Sequence, residues 1–200
     1  VMVTMSTASA KRIVEVLDEK SSITNPENPV YEINDGSVKF NHVNFKYKES
    51  AKKNTLSDIN IDIKSGQFVG IIGSTGSGKT TIANLISRLY DVSEGEVIVG
   101  GHNVKEYDLV TLRDNVAVVL QKNVLFSGTI ATNLRWGDIN ASDEELVRAC
   151  QIAQADEFIQ SFKDKYDTRI EKGGTNVSGG QKQRLCIARA ILKKPKILIL

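Results

Sequence analysis

Apolar positions along the chain change period several times. Ala10, Ile13, Val14 and Leu17 fall on one face of a short helix over residues 10–17. The polar stretch 18–29 holds two of the three prolines and reads as a linker, with folded sequence expected from Tyr31. Val38 and Phe40 alternate, and Val43, Phe45 and Tyr47 alternate in a shifted register, which predicts strand with a bulge or turn between Phe40 and Val43. Ile59, Ile61 and Ile63 predict another half-buried strand. Residues 68–72 are continuously apolar, the pattern of a strand buried on both faces. A glycine-rich loop follows, then a helix with Ile82, Leu85, Ile86 and Leu89 on one face. Short strands are expected at 97–99 and 116–120.

Helix is predicted over 142–150 and again over 152–162, with Ser142 and Glu145 at capping-box spacing. A second such pair, Ser178 and Gln181, opens a helix carrying Leu185, Ala188, Ile191 and Leu192. Lys194 and Pro195 stop it before an apolar strand at 196–200. This order of elements predicts an α/β fold with an attached antiparallel β layer and an α-helical subdomain.

Composition narrows the class without changing that picture. With 200 residues, 40% hydrophobic and 25% charged, the chain has the usage of a globular domain that can bury its own core. Disordered, collagen-like and disulfide-rich secreted classes are excluded on these grounds. A net charge of +2 creates no field that points to nucleic acid or an anionic membrane. Cys150 and Cys186 lack ligand spacing and read as reduced intracellular thiols, with a secreted pair as the alternative. No run approaches the roughly 18 apolar residues of a membrane span, and there is no signal-peptide pattern. The chain opens on Val1 and stops inside an apolar run, so both ends read as cuts from something longer.

The strongest chemical signal is the loop Gly73, Ser74, Thr75, Gly76, Ser77, Gly78, Lys79, Thr80. A glycine, four residues and then Gly-Lys-Ser/Thr is the phosphate-loop pattern. Gly73, Gly76 and Gly78 are expected to allow positive φ and close backbone approach, so that successive N–H groups converge on one anion. The following helix turns its positive end to the same phosphates. Lys79 would place a point charge on the β- and γ-phosphates, and the Thr80 hydroxyl would ligate Mg²⁺. Thr81 is grouped with the loop as a nucleotide contact. The pattern lies between a predicted strand and a predicted helix, the context it requires.

Asn176, Val177, Ser178, Gly179, Gly180, Gln181, Lys182, Gln183 and Arg184 form a second segment. Alone, Ser-Gly-Gly-Gln reads as a helix N-cap with a flexible entry. Together with the phosphate loop it resembles the signature motif in the nucleotide-binding domain of ATP-binding cassette (ABC) transporters. The resemblance runs over nearly the whole chain. It implies the ABC ATPase fold: a phosphate-loop core sheet, here incomplete at its C-terminal end, an antiparallel β layer and a helical subdomain at about 125–190. Residues 1–20 then correspond to the cytoplasmic extension of the last membrane helix, 21–30 to a linker and 31–200 to the nucleotide-binding domain. Tyr47 matches the aromatic residue that stacks on adenine, a use its ring face suits. Gln121 matches the glutamine that contacts Mg²⁺ and the attacking water and links nucleotide state to the transmembrane part. Lys122 and Asn123 stand where the family more often has an acidic residue and a proline. Residues 168–174 resemble the loop that precedes the signature in exporters, and the signature resembles those of bacterial multidrug-type exporters.

The resemblance also implies ATP and Mg²⁺ as cofactors and a head-to-tail pairing with a second nucleotide-binding domain, as homodimer or heterodimer. In that pairing Ser178, Gly179, Gly180 and Gln181 act in trans on ATP held by the partner. A transmembrane domain of the same chain, no nucleic-acid partner, and a place at the cytoplasmic face of the cell membrane follow. The implied activity of the intact parent is ATP hydrolysis that powers export. Ile197, Leu198, Ile199 and Leu200 match the apolar half of the family's second nucleotide motif, whose aspartate and general base come next. These 200 residues are therefore expected to bind ATP rather than hydrolyse it, and to leave apolar surface uncovered. Two other readings stay open: a non-hydrolytic half of a heterodimeric exporter, and a soluble ABC protein acting on DNA or the ribosome. The helix at 10–17 and the low net charge weigh against the latter. His42 and His102 read as surface residues, and the basic helix from Lys182 to Lys196 as a solvated face.

Overall fold

Alternation in the first third of the chain builds an antiparallel sheet. In the computed structural model, which describes residues 2–200 and side chains from Thr7 onward, β1 (Val38–Phe45) lies between β2 (Leu56–Ile63) and β3 (Glu94–Val99). A short β4 (His102–Asn103) extends the sheet to the order β2-β1-β3-β4. Val38, Phe40, Val43 and Phe45 are all buried. They can share a face only because one residue is inserted between the two pairs. The register against both neighbours shifts after Phe40, and His42 takes φ 48°. The expected bulge is present, and it is what changes the inward parity.

Against this sheet packs α2 (Lys79–Ile86), which contributes Ile82, Leu85 and Ile86. Tyr107, fully buried, donates its hydroxyl to the Val99 carbonyl at 2.7 Å. α3 (Leu109–Asn115) is capped by Asp108, which accepts from the Thr111 amide at 2.9 Å. The polar linker is anchored there too. The Asn25 side chain donates to Asp108 and accepts from the Leu109 amide, and Val30 bridges Tyr107.

A second hydrophobic cluster draws on α4 (Ile130–Leu134), α5 (Asp143–Ile152), α6 (Asp156–Gln160) and α7 (Gly179–Leu192). Leu134, Leu146, Cys150, Ile159, Leu185 and Ala188 are its centre. A two-stranded ladder of β6 (Gly128–Thr129) and β7 (Arg169–Ile170) closes one side. The capping boxes anticipated at Ser142 with Glu145 and at Ser178 with Gln181 both form. Lys194, at φ 50° beside Pro195, ends α7. The chain then runs into β8 (Ile197–Ile199), paired in parallel with β5 (Val116–Val118).

The apolar pattern misleads where strand or helix identity depends on partners. Residues 68–72 form no strand, and Phe68 and Ile72 are 100% and 98% exposed. A continuous apolar run specifies hydrophobicity but supplies no ladder; β5 and β8 pair with each other, and no described strand runs alongside 68–72. The strand expected at 116–120 stops at Val118, and Leu120 is exposed. The helix expected over 152–162 is broken after Ile152: Gln154 adopts φ 56° and the Ala155 amide turns back onto the Cys150 carbonyl. α2 ends at Ile86, where the Ser87 hydroxyl bonds back to Ala83 and Asn84 and Arg88 turns to φ 48°, so Leu89 lies off the buried face, half exposed. α1 (Met2–Asp18) is longer than the helix read at 10–17 and leaves Ile13, Val14, Val16 and Leu17 exposed. No helix of the described residues is long and apolar enough to cross a membrane.

Candidate functional site

The phosphate loop runs straight into α2. Gly78 is the residue before the helix, at φ 90°, and supplies no side-chain cap. The first turn, Lys79, Thr80 and Thr81, carries no acidic residue, and the first amide to find an intrahelical acceptor is that of Ile82, bonded to the Gly78 carbonyl. The amides before it are therefore oriented for an external acceptor at the positive end of the helix. Gly76 and Gly78 take the positive φ the sequence pattern called for; Gly73 does not. Its requirement is steric: a Cβ there would come within 2.5 Å of Ser77 Oγ. At Gly78 both reasons hold, since a Cβ would also meet Leu56 Cδ2 at 2.5 Å.

Lys79 folds back across the loop. Its Nζ donates to the carbonyls of Gly73 at 2.7 Å and Ser74 at 2.8 Å, and to Ser77 Oγ at 3.3 Å. The Ser77 amide closes a turn on the Ser74 carbonyl. The result is a concave backbone with one ammonium at its rim, a geometry that suits a polyanion.

Tyr47 follows β1 and reaches the same place from the sheet. Its hydroxyl is 2.9 Å from Thr81 Oγ1, and Thr81 is only 4% exposed. The ring stands nearly perpendicular to those of Phe45 and Tyr90, at centroid distances of 4.8 and 5.0 Å. Beside it runs an open groove of about 860 Å³ lined by Ser22, Asn44, Lys46, Tyr90 and Asp91 among others. Sequence reasoning missed Tyr90. Nothing in its local pattern marks it, because the end of α2 and the end of β1 meet only in space.

The Ser178 segment is a second helix start, closed by a capping box where that of α2 is uncapped. Ser178 Oγ accepts from the Gln181 amide at 3.2 Å, and Gln181 Oε1 accepts from the Ser178 amide at 2.9 Å. The serine hydroxyl hydrogen thus remains to donate elsewhere. Gly179 and Gly180 are exposed, with open space where a Cβ would sit. The preceding loop is held by Asn176, which donates to the Arg169 carbonyl and accepts from the Glu171 amide, and by Thr175, which donates to Glu171.

Gln121 lies in an exposed turn beyond β5. The far end of that turn is clamped to the helical cluster. Asn133, 2% exposed, accepts from the Phe126 amide and donates to the Phe126 and Thr129 carbonyls. Arg189 of α7 donates to the carbonyls of Val124 and Asn133 and to Asn133 Oδ1. Burial holds the Arg189 guanidinium below its ordinary pKa, with the nearby Cys186 thiol opposing. Sequence reasoning missed both residues. The available signal was Asn133 itself, a polar residue on the apolar stripe of Ile130 and Leu134. The structure therefore bonds Tyr47 to Thr81 on the first turn of α2, and Lys79 of the same turn to the loop at Gly73, Ser74 and Ser77. It ties the turn after Gln121 to α7, the helix that Ser178 begins.

Comparison with known proteins matches these features. Residues 56–200 match the family model described as ABC transporter. An uncharacterized ABC transporter ATP-binding protein of Bacillus subtilis, YknV, is 43% identical over 197 residues, 98% of this chain and 32% of that protein. A putative multidrug export ATP-binding/permease protein of Staphylococcus aureus is 42% identical over 190 residues, 94% of this chain and 32% of its own length. The chain thus spans about a third of the length of the curated relatives it matches. The solved structure of a bacterial Atm1-family ABC exporter with ATP bound superposes with a TM-score of 0.89 at 32% identity, covering 98% of this chain and 34% of that one. An uncapped helix start behind a glycine loop, a second helix start built from Ser178, Gly179 and Gly180, and a family match over most of the residues agree, and the chain belongs to the ABC transporter family, with the fold of its ATP-binding domain.

Proposed function

We propose that this chain is the ATP-binding domain of an exporter whose intact parent couples ATP hydrolysis to transport, and that these 200 residues by themselves bind ATP without hydrolysing it. The observation that carries the reading is the concave loop 73–78 set against the uncapped start of α2, with the Lys79 ammonium at its rim. Phosphates seat on the loop amides and Lys79, and adenine lies against the exposed side of Tyr47. The residues also fit Mg²⁺. Mg²⁺ would take most of its ligands from phosphate and water, its usual habit, and Thr80 and Gln121 would supply the protein oxygens. Its chemistry there would be to neutralise charge on the transferred phosphoryl group. Gln121 positions the attacking water.

Ser178, Gly179, Gly180 and Gln181 serve a second nucleotide-binding domain in trans, across a head-to-tail dimer. Support comes from the exposed start of α7 and the unused Ser178 hydroxyl hydrogen. Residues 1–20 lead from a transmembrane domain of the same chain, 21–30 link, and 31–200 bind nucleotide with a helical subdomain at about 125–190. The domain then works at the cytoplasmic face of the cell membrane. The test is equilibrium binding of a fluorescent ATP analogue to the Lys79→Ala protein. At least a tenfold loss of affinity is expected, and affinity equal to wild type would overturn the reading.

A further inference from the structure

The junction between Tyr47 and Thr81 joins two parts of the site that the sequence keeps apart. Thr81 is on the first turn of α2, directly after the residues that cradle phosphate. Tyr47 follows β1. Their hydroxyls meet at 2.9 Å, with Thr81 buried and Tyr47 half exposed. Phe45 and Tyr90 stand at 83° and 89° to the Tyr47 ring, so the ring is braced by aromatic contacts and tethered at its hydroxyl end. An aromatic side chain that is free to turn loses that freedom when a base stacks on it, and a ring already held does not.

We propose that Thr81 is a positioning residue for base recognition. Its hydroxyl fixes the Tyr47 ring to the phosphate-binding helix, so that the base platform and the phosphate cradle keep one spacing. The inference rests on the proposed function, because it assumes that the ring stacks on the base. The contribution of Thr81 to nucleotide affinity then runs through Tyr47 and reads the base, not the phosphates. One hydrogen bond of this kind corresponds to about a 2- to 10-fold change in affinity.

The experiment is a double-mutant cycle in the full-length protein, with ATP and inorganic tripolyphosphate as the two probes. Tyr47→Phe keeps the ring and removes the bond, Thr81→Val removes it from the other side at nearly constant volume, and Thr81→Ser restores a hydroxyl. The readout is the ratio of ATP affinity to tripolyphosphate affinity, which a general loss of structure would not move selectively. Both bond-breaking variants are expected to lower that ratio by about 2- to 10-fold, the double variant to lower it no further, and Thr81→Ser to recover it. An unchanged ratio in Tyr47→Phe, or additive losses in the double variant, would overturn the proposal while leaving ATP binding established. If the wild-type protein binds neither probe, or binds both equally well after Lys79→Ala, the proposed function itself fails and the inference with it.

Discussion

Asn133→Leu tests whether the turn after Gln121 is held by one side chain. Leucine keeps the same branched heavy-atom skeleton, in a bulkier side chain without polar atoms, and favours helix. The change removes four hydrogen bonds: from the Phe126 amide and Arg189 to Oδ1, and from Nδ2 to the Phe126 and Thr129 carbonyls. At about 1 kcal/mol each the loss sums to about 4 kcal/mol. Added apolar burial of leucine offsets on the order of 1 kcal/mol, which leaves about 3 kcal/mol of net destabilisation. Trp136 is the sole tryptophan and stacks on Phe126 at 4.9 Å, so its fluorescence reports the clamped turn directly. In urea, with a slope of about 1–3 kcal/mol per molar, the Trp136 midpoint should fall by roughly 1–3 M. Hydrogen exchange should show the Phe126 amide losing protection before that of Leu185 in α7. A shift worth less than about 1 kcal/mol, or an equally protected Phe126 amide, would refute the clamp.

Other substitutions separate stability from use. Gly179→Ala and Gly180→Ala place alanine in the first turn of α7, where a Cβ meets nothing, so each should stabilise the helix by up to about 0.5–1 kcal/mol. On the proposed head-to-tail pairing, ATP hydrolysis by the full-length protein should nevertheless fall; a lower melting temperature would contradict the stabilisation, and unchanged hydrolysis would contradict the pairing. Gly78→Ala combines a positive φ with an overlap on Leu56 Cδ2 and should cost about 2–4 kcal/mol in denaturant unfolding, whereas Gly70→Ala, in open space, should stay within about 0.5 kcal/mol. Hydrogen bonding to the Lys194 ammonium, then to the Ser142 amide, holds the Glu145 carboxyl below its usual 4.5. A depressed folded pKa stabilises above the unfolded value and is lost as pH falls through the folded one. Wild type should therefore exceed Glu145→Gln in stability at pH 7, with the gap closing below pH 4.5, and a gap that stays constant would exclude the ion pair as its source.

Local chemistry was legible where a few neighbouring residues suffice to define geometry. Gly76, Gly78 and Lys79 form the expected loop because its turn and helix start are made within one short stretch. Ser178 with Gln181 and Ser142 with Glu145 cap as their spacing requires, since each box closes within one turn. The bulge after Phe40 was visible because a one-residue insertion reverses the parity of every apolar position after it. The long-range arrangement was not visible in this way. Residues 68–72 have the composition of a buried strand yet lie exposed, because a strand is defined by the partner across its ladder, and pairing between distant segments leaves no mark in a run of apolar residues. The same holds for Tyr47 meeting Thr81 and Tyr90, and for Arg189 reaching Val124 and Asn133. The sequence named the ammonium, the glycines and the aromatic ring, each carrying its chemistry in its own side chain or φ. How ring, loop and signature helix are held relative to one another is a property of the packed chain, because each tether spans residues far apart in sequence.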